Sequence, residues 1–77
     1  LIFHRSLKIQ EKIGDRDGAA TTINNIGTIY NSQGDIEKTL EYLLKSLETR
    51  EEIGDQKGIA QSLNNLGSIY LKLTDNP

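Results

Sequence analysis

The sequence predicts an all-α chain of antiparallel helix-pair repeats, and three observations predict it. The chain matches itself at an offset of 40 residues. Gly-Asp pairs beginning at Gly14, Gly34 and Gly54 punctuate it. Between them, apolar residues recur at three- and four-residue spacing, and no stretch shows the strict alternation of a half-buried strand.

The internal repeat is dense. Residues 13–30 lie over residues 53–70 with 10 of 18 pairs identical, and substitutions such as Ile23/Leu63, Ile26/Leu66 and Thr28/Ser68 keep their character. The match continues upstream through Ser6/Ser46 and Leu7/Leu47. Self-similarity at such a period marks stacked supersecondary units. Glycine is favoured just past a helix end, where the chain turns left-handed. Aspartate is a good N-cap, because its carboxylate accepts an orphan backbone N–H. Each Gly-Asp pair therefore closes one helix and opens the next. The helices fall at about 1–13, 16–33, 36–53 and 56–73.

The second helix aligns Ile23, Ile26, Gly27 and Tyr30 on one face, and the fourth repeats this with Leu63, Leu66, Gly67 and Tyr70. Tyr30 and Tyr70 read as core residues. The third helix carries an apolar stripe of Ile36, Leu40, Leu43, Leu44 and Leu47. Glycine inside a helix costs about 1 kcal/mol of propensity. On an apolar face it suits the close approach of a neighbouring helix.

Composition narrows the function. The chain has 77 residues, 9 basic and 11 acidic for a net charge of −2, one histidine and no cysteine. A chain this short buries little more than half of its unfolded surface, so small folds lean on disulfides, metals or association. Absence of cysteine excludes disulfides and thiolate metal sites. His4 alone cannot build a metal site and reads as a surface or interface residue, so no cofactor is expected. Mixed charge argues against nucleic-acid binding, which needs clustered Lys and Arg. No apolar run approaches the ~18 residues of a membrane span. No signal segment is visible at the start, and a cysteine-free chain fits a cytoplasmic location. With no nucleophile–base pair, carboxylate dyad or phosphate loop, no enzyme is expected.

The spacing of Ile23, Ile26, Gly27 and Tyr30, repeated at Leu63, Leu66, Gly67 and Tyr70, resembles the first helix of the tetratricopeptide repeat family. Thr39, Leu43 and Ser46 match the second helix of that family, as do Phe3 and Ser6 in the incomplete first unit. The usual Trp, Ala pair and closing Pro are missing. The period of 40 exceeds the family's common length of about 34, and looks like the long-helix variety of kinesin light chains and bacterial signalling proteins. The resemblance spans essentially the whole chain and divides it into a half repeat (1–15), a full repeat (16–55) and a half repeat (56–77). It implies a right-handed superhelix that binds a protein or peptide in its concave groove. Neither end carries the polar cap that repeat arrays need: Leu1, Ile2 and Phe3 stand at one, Leu71 and Leu73 at the other. Self-association through the end helices is therefore expected.

Across the second helix from its apolar face lie Thr21, Asn25, Thr28 and Ser32. The fourth helix places Gln61, Asn65, Ser68 and Lys72 there. The resemblance puts these residues on the concave, peptide-binding face; a merely solvated polar face is the alternative. Asn24, Asn31, Asn64 and Leu71 flank them. Asparagine is an indifferent helix former, yet both units carry Asn-Asn in mid-helix. Its amide offers one acceptor and two donors and matches a peptide group. Repeated at Asn25 and Asn65, it makes a ladder for the backbone of an extended ligand. The competing reading has one Asn of each pair bonded within the scaffold. A clamp for a terminal carboxylate has little support, since Lys72 is the one cation here. The expected function is a protein-interaction module, a scaffold or sensor part of a larger signalling protein. The alternative is a structural self-assembly module whose end helices stack copies.

Overall fold

The computed structural model describes residues 2–75. Four helices account for nearly all of them: α1 (Ile2–Ile13), α2 (Arg16–Ser32), α3 (Ile36–Ile53) and α4 (Gln56–Asp75), with no strand among the described residues. The all-α expectation holds, and each predicted boundary lies within two residues of the observed one.

The breaks have the expected chemistry. Gly14, Gly34 and Gly54 take φ of 78°, 81° and 72°, the left-handed region that L side chains avoid. The following Asp15, Asp35 and Asp55 carboxylates accept from the backbone N–H of Gly18, Lys38 and Gly58 at 2.9, 3.1 and 3.0 Å. Each such cap satisfies one of the donors that a helix start leaves without an intrahelical partner.

Each helix packs on the next along the chain. The Cα envelope measures 45 × 28 × 13 Å, too thin to surround any helix on all sides. The core is accordingly two small clusters. Leu7, Ala19, Ile23 and Ile26 form one, with Phe3, Tyr30 and Tyr42 against it; Leu43, Leu66 and Ile69 form the other, flanked by Ile36, Leu40 and Leu47. Small residues let the helices close. A Cβ added at Gly27 would stand 3.0 Å from Leu43 Cδ2 and 3.3 Å from Tyr42 Cβ. Ser46, fully buried, donates to the Ala20 carbonyl at 2.8 Å and ties α3 to α2.

The two glycine-centred faces do not share one environment. On α2, Ile23, Ile26 and Gly27 are buried and Tyr30 is half-buried. On α4, Leu66 is buried as expected, but Leu63 is 54% and Tyr70 47% exposed, and Gly67 is open. The reason is positional. α3 covers the glycine face of α2, whereas α4 meets α3 through its other side, using Ser62, Leu66 and Ile69. Leu44, expected in the apolar stripe of α3, is likewise exposed.

Candidate protein-interaction face

The polar face predicted on two helices becomes one surface because α2 and α4 lie side by side. Asn65 Nδ2 donates to Asn24 Oδ1 at 3.3 Å, joining them directly. Thr21, Asn25, Thr28, Ser32, Gln61, Ser68 and Lys72 are all exposed, and Asn65 is half-buried. Between the two helices, over α3, runs a groove of about 110 Å³. Thr28, Asn31, Asn65 and Ser68 line it with Thr39, and Leu43 and Ile69 supply its apolar part. The groove thus brings together Thr28, Asn65 and Ser68. Thr21, Asn25, Ser32, Gln61 and Lys72 lie outside its lining.

Hydrogen bonding decides what this face offers a ligand. Thr21, Thr28 and Ser32 donate to the carbonyls of Asp17, Asn25 and Ile29 at 3.3, 2.8 and 2.8 Å. Their hydroxyl protons are spent within α2, so they present lone pairs as acceptors. Donors come instead from the amides of Asn25 and Gln61, the second amide hydrogen of Asn65, the Ser68 hydroxyl and Lys72. Asn31 Oδ1 is buried with no hydrogen-bond partner among the described residues, which costs about 1–3 kcal/mol. The face carries one formal charge, on Lys72, and so suits an uncharged backbone better than an anionic group.

Part of the scaffold is polar in a way sequence reasoning missed. Arg50 is buried, and its Nη1 donates to Ser62 Oγ at 2.8 Å and to the Gly58 carbonyl at 3.2 Å. One repeat earlier, Thr22 Oγ1 donates to Gln10 Oε1 at 2.7 Å. Gln10/Arg50, Thr22/Ser62 and Gly18/Gly58 are each 40 residues apart, so the same joint is built twice. A long polar side chain reaches over a glycine to a hydroxyl on the following helix. That shared offset was the available signal. His4 proves to be an interface residue, half-buried with Nε2 3.3 Å from the Tyr42 hydroxyl. Tyr42 in turn stacks on Tyr30 at 5.5 Å between ring centroids.

No group of His, Cys, Asp and Glu among the described residues is arranged to hold a metal ion. No described helix is long and apolar enough to cross a membrane.

A single layer of helix pairs, closed by small residues and repeated polar joints, with a polar groove on one side, defines a helical-repeat protein. The tetratricopeptide repeat model matches residues 18–77, and the chain belongs to that family. The family is a non-catalytic repeat that generally mediates protein–protein interaction. No curated protein and no solved structure matches the chain.

Proposed function

We propose that the α2/α4 face binds an extended segment of a partner protein, chiefly through its backbone. The observation that carries this is the groove: polar walls from Thr28, Asn65 and Ser68 over apolar Leu43 and Ile69, between two helices that bear the same polar pattern. Backbone N–H groups of a ligand find acceptors in the Thr28 hydroxyl and the Asn25 carbonyl oxygen. Backbone carbonyls find donors in Ser68 and in the amides of Asn25 and Asn65. An apolar ligand side chain rests on Leu43 and Ile69. The period of 40 residues supports placing the chain among the long-helix members of its family.

The bond between Asn65 and Asn24 supports the competing scaffold role for that pair, and the test separates the two. Dodecapeptides are selected from a random display library against the immobilised chain, then titrated by calorimetry against wild type and the Asn25→Ala/Asn65→Ala variant. Net hydrogen bonds of about 0.5–1.5 kcal/mol each give a loss of about 5- to 150-fold in affinity. Unchanged affinity with an unchanged fold removes the backbone reading. Lost stability without ligand assigns Asn65 to the scaffold.

A further inference from the structure

The groove leaves one feature of α4 without a role. Its Leu63–Gly67–Tyr70 face points away from Asn65 and Ser68, and nothing covers it. The equivalent face of α2 shows what cover it is shaped for. At Gly27 an added Cβ would meet Leu43 and Tyr42 of α3 within 3.3 Å; at Gly67 it would meet nothing within 4 Å. Ile23 is 2% exposed under α3, whereas its equivalent Leu63 is 54% exposed.

α3 reaches α2 through Tyr42, at Gly27 and Tyr30, through Ser46, bonded to the Ala20 carbonyl, and through Thr49, beside Ala19 and Ile23. Forty residues earlier stand Ile2, Ser6 and Ile9 of α1. Ile2 is 80% and Ile9 58% exposed, so α1 has its own uncovered face. Phe3, Ser6 and Leu7 repeat the pattern of Leu43, Ser46 and Leu47. α1 is thus the helix of this chain that has α3-type residues and a free side on which to use them.

We propose that α4 of one copy receives α1 of a second copy in the way α2 receives α3. Ile2 of the second copy then lies at Gly67 and Tyr70, Ser6 meets the Ala60 carbonyl, and Ile9 packs beside Ile59 and Leu63. The receiving face (Ile59, Ala60, Leu63, Gly67, Tyr70) carries no charge, so its burial strips no ion of water. The internal α2–α3 contact serves as the template for the contact between copies. Two different faces meet, so each added copy still presents one of each, and assembly continues head to tail unless its rotation closes a ring. This contact is independent of the groove, which lies on another side of α4.

The test uses the whole chain and two blocking variants, each at an exposed or open position. Ile9→Glu blocks the α1 face and Gly67→Arg the α4 face; unchanged circular dichroism confirms that each still folds. Ile2→Glu replaces Ile9→Glu if that variant unfolds. In sedimentation equilibrium, wild type is expected to gain mass beyond a dimer as its concentration rises. Each variant alone stays monomeric. An equimolar mixture of the two forms dimers and nothing larger, because one free α4 face and one free α1 face remain between them. Dimers of Ile9→Glu alone overturn the proposal in favour of α4 pairing with α4. A wild type that stays monomeric into the millimolar range, or a monomeric mixture, overturns it outright.

Discussion

Replacing Arg50 by methionine isolates the energetics of the polar joint between α3 and α4. Methionine keeps an unbranched stem of similar reach and removes both donors. The Gly58 carbonyl and the Ser62 hydroxyl, bonded to Nη1 at 3.2 and 2.8 Å, are then left without that partner. An orphaned buried group costs about 1–3 kcal/mol. Against this stands relief from burying a guanidinium that is 5% exposed and has no carboxylate within ion-pair distance among the described residues. Removing an imperfectly compensated buried charge recovers part of the cost. The net expectation is a loss of about 1–3 kcal/mol, or roughly 4–8 °C of Tm for each kcal/mol in a chain of this size. Arg50→Gln is expected to lose about half as much, because Gln10 already serves Thr22 across the equivalent joint at 2.7 Å. The assay is urea unfolding followed by circular dichroism in the Ile9→Glu background, where end-to-end contact is blocked and stability does not depend on concentration. A methionine variant as stable as wild type would refute the reasoning. It would mean that desolvating the guanidinium costs as much as its hydrogen bonds return.

Gly27 and Gly67 occupy one motif position and are expected to respond with opposite sign. Gly27→Leu overpacks against Leu43 and Tyr42 and loses about 1–3 kcal/mol, whereas Gly67→Ala, with open space around it, gains about 0.5–1 kcal/mol from helix propensity; urea midpoints of the two variants read both, and a stable Gly27→Leu would place that glycine away from α3. Asp35→Ala removes the carboxylate that accepts from Lys38 N–H and is expected to cost about 1 kcal/mol. Asp35→Asn keeps an acceptor and stays near wild type by the same measurement; equal losses in the two variants would show that charge rather than capping matters there.

The fold was legible because its determinants are local. The glycines with positive φ and the capping aspartates sit beside each other in sequence, and helix phase follows from spacing alone. Which apolar face gets covered is not local. Leu63, Gly67 and Tyr70 read like Ile23, Gly27 and Tyr30, and only the place of α3 distinguishes them. The candidate face was legible as a set of polar positions, but its donor inventory was not. That Thr21, Thr28 and Ser32 spend their protons on their own helix depends on rotamers. The Asn24–Asn65 bond depends on the distance between α2 and α4. The Arg50 joint left a trace at the shared offset, yet a buried arginine runs against the expectation that charges stay outside.

The slab-like packing of α1 to α4 also governs how the chain comes apart. Each helix rests on its chain neighbour; the contacts that skip a helix among the described residues are two long side-chain hydrogen bonds, His4–Tyr42 and Asn65–Asn24. Such a topology pairs residues close in sequence, which speeds folding and lets either end detach while the middle stays intact. α4 is held through one side only, so it opens before the α2–α3 hairpin does. The groove exists only while α4 is docked. A segment that bridges α2 and α4 therefore fastens the loose end as it binds, and its affinity is reduced by whatever fraction of the time that end is open.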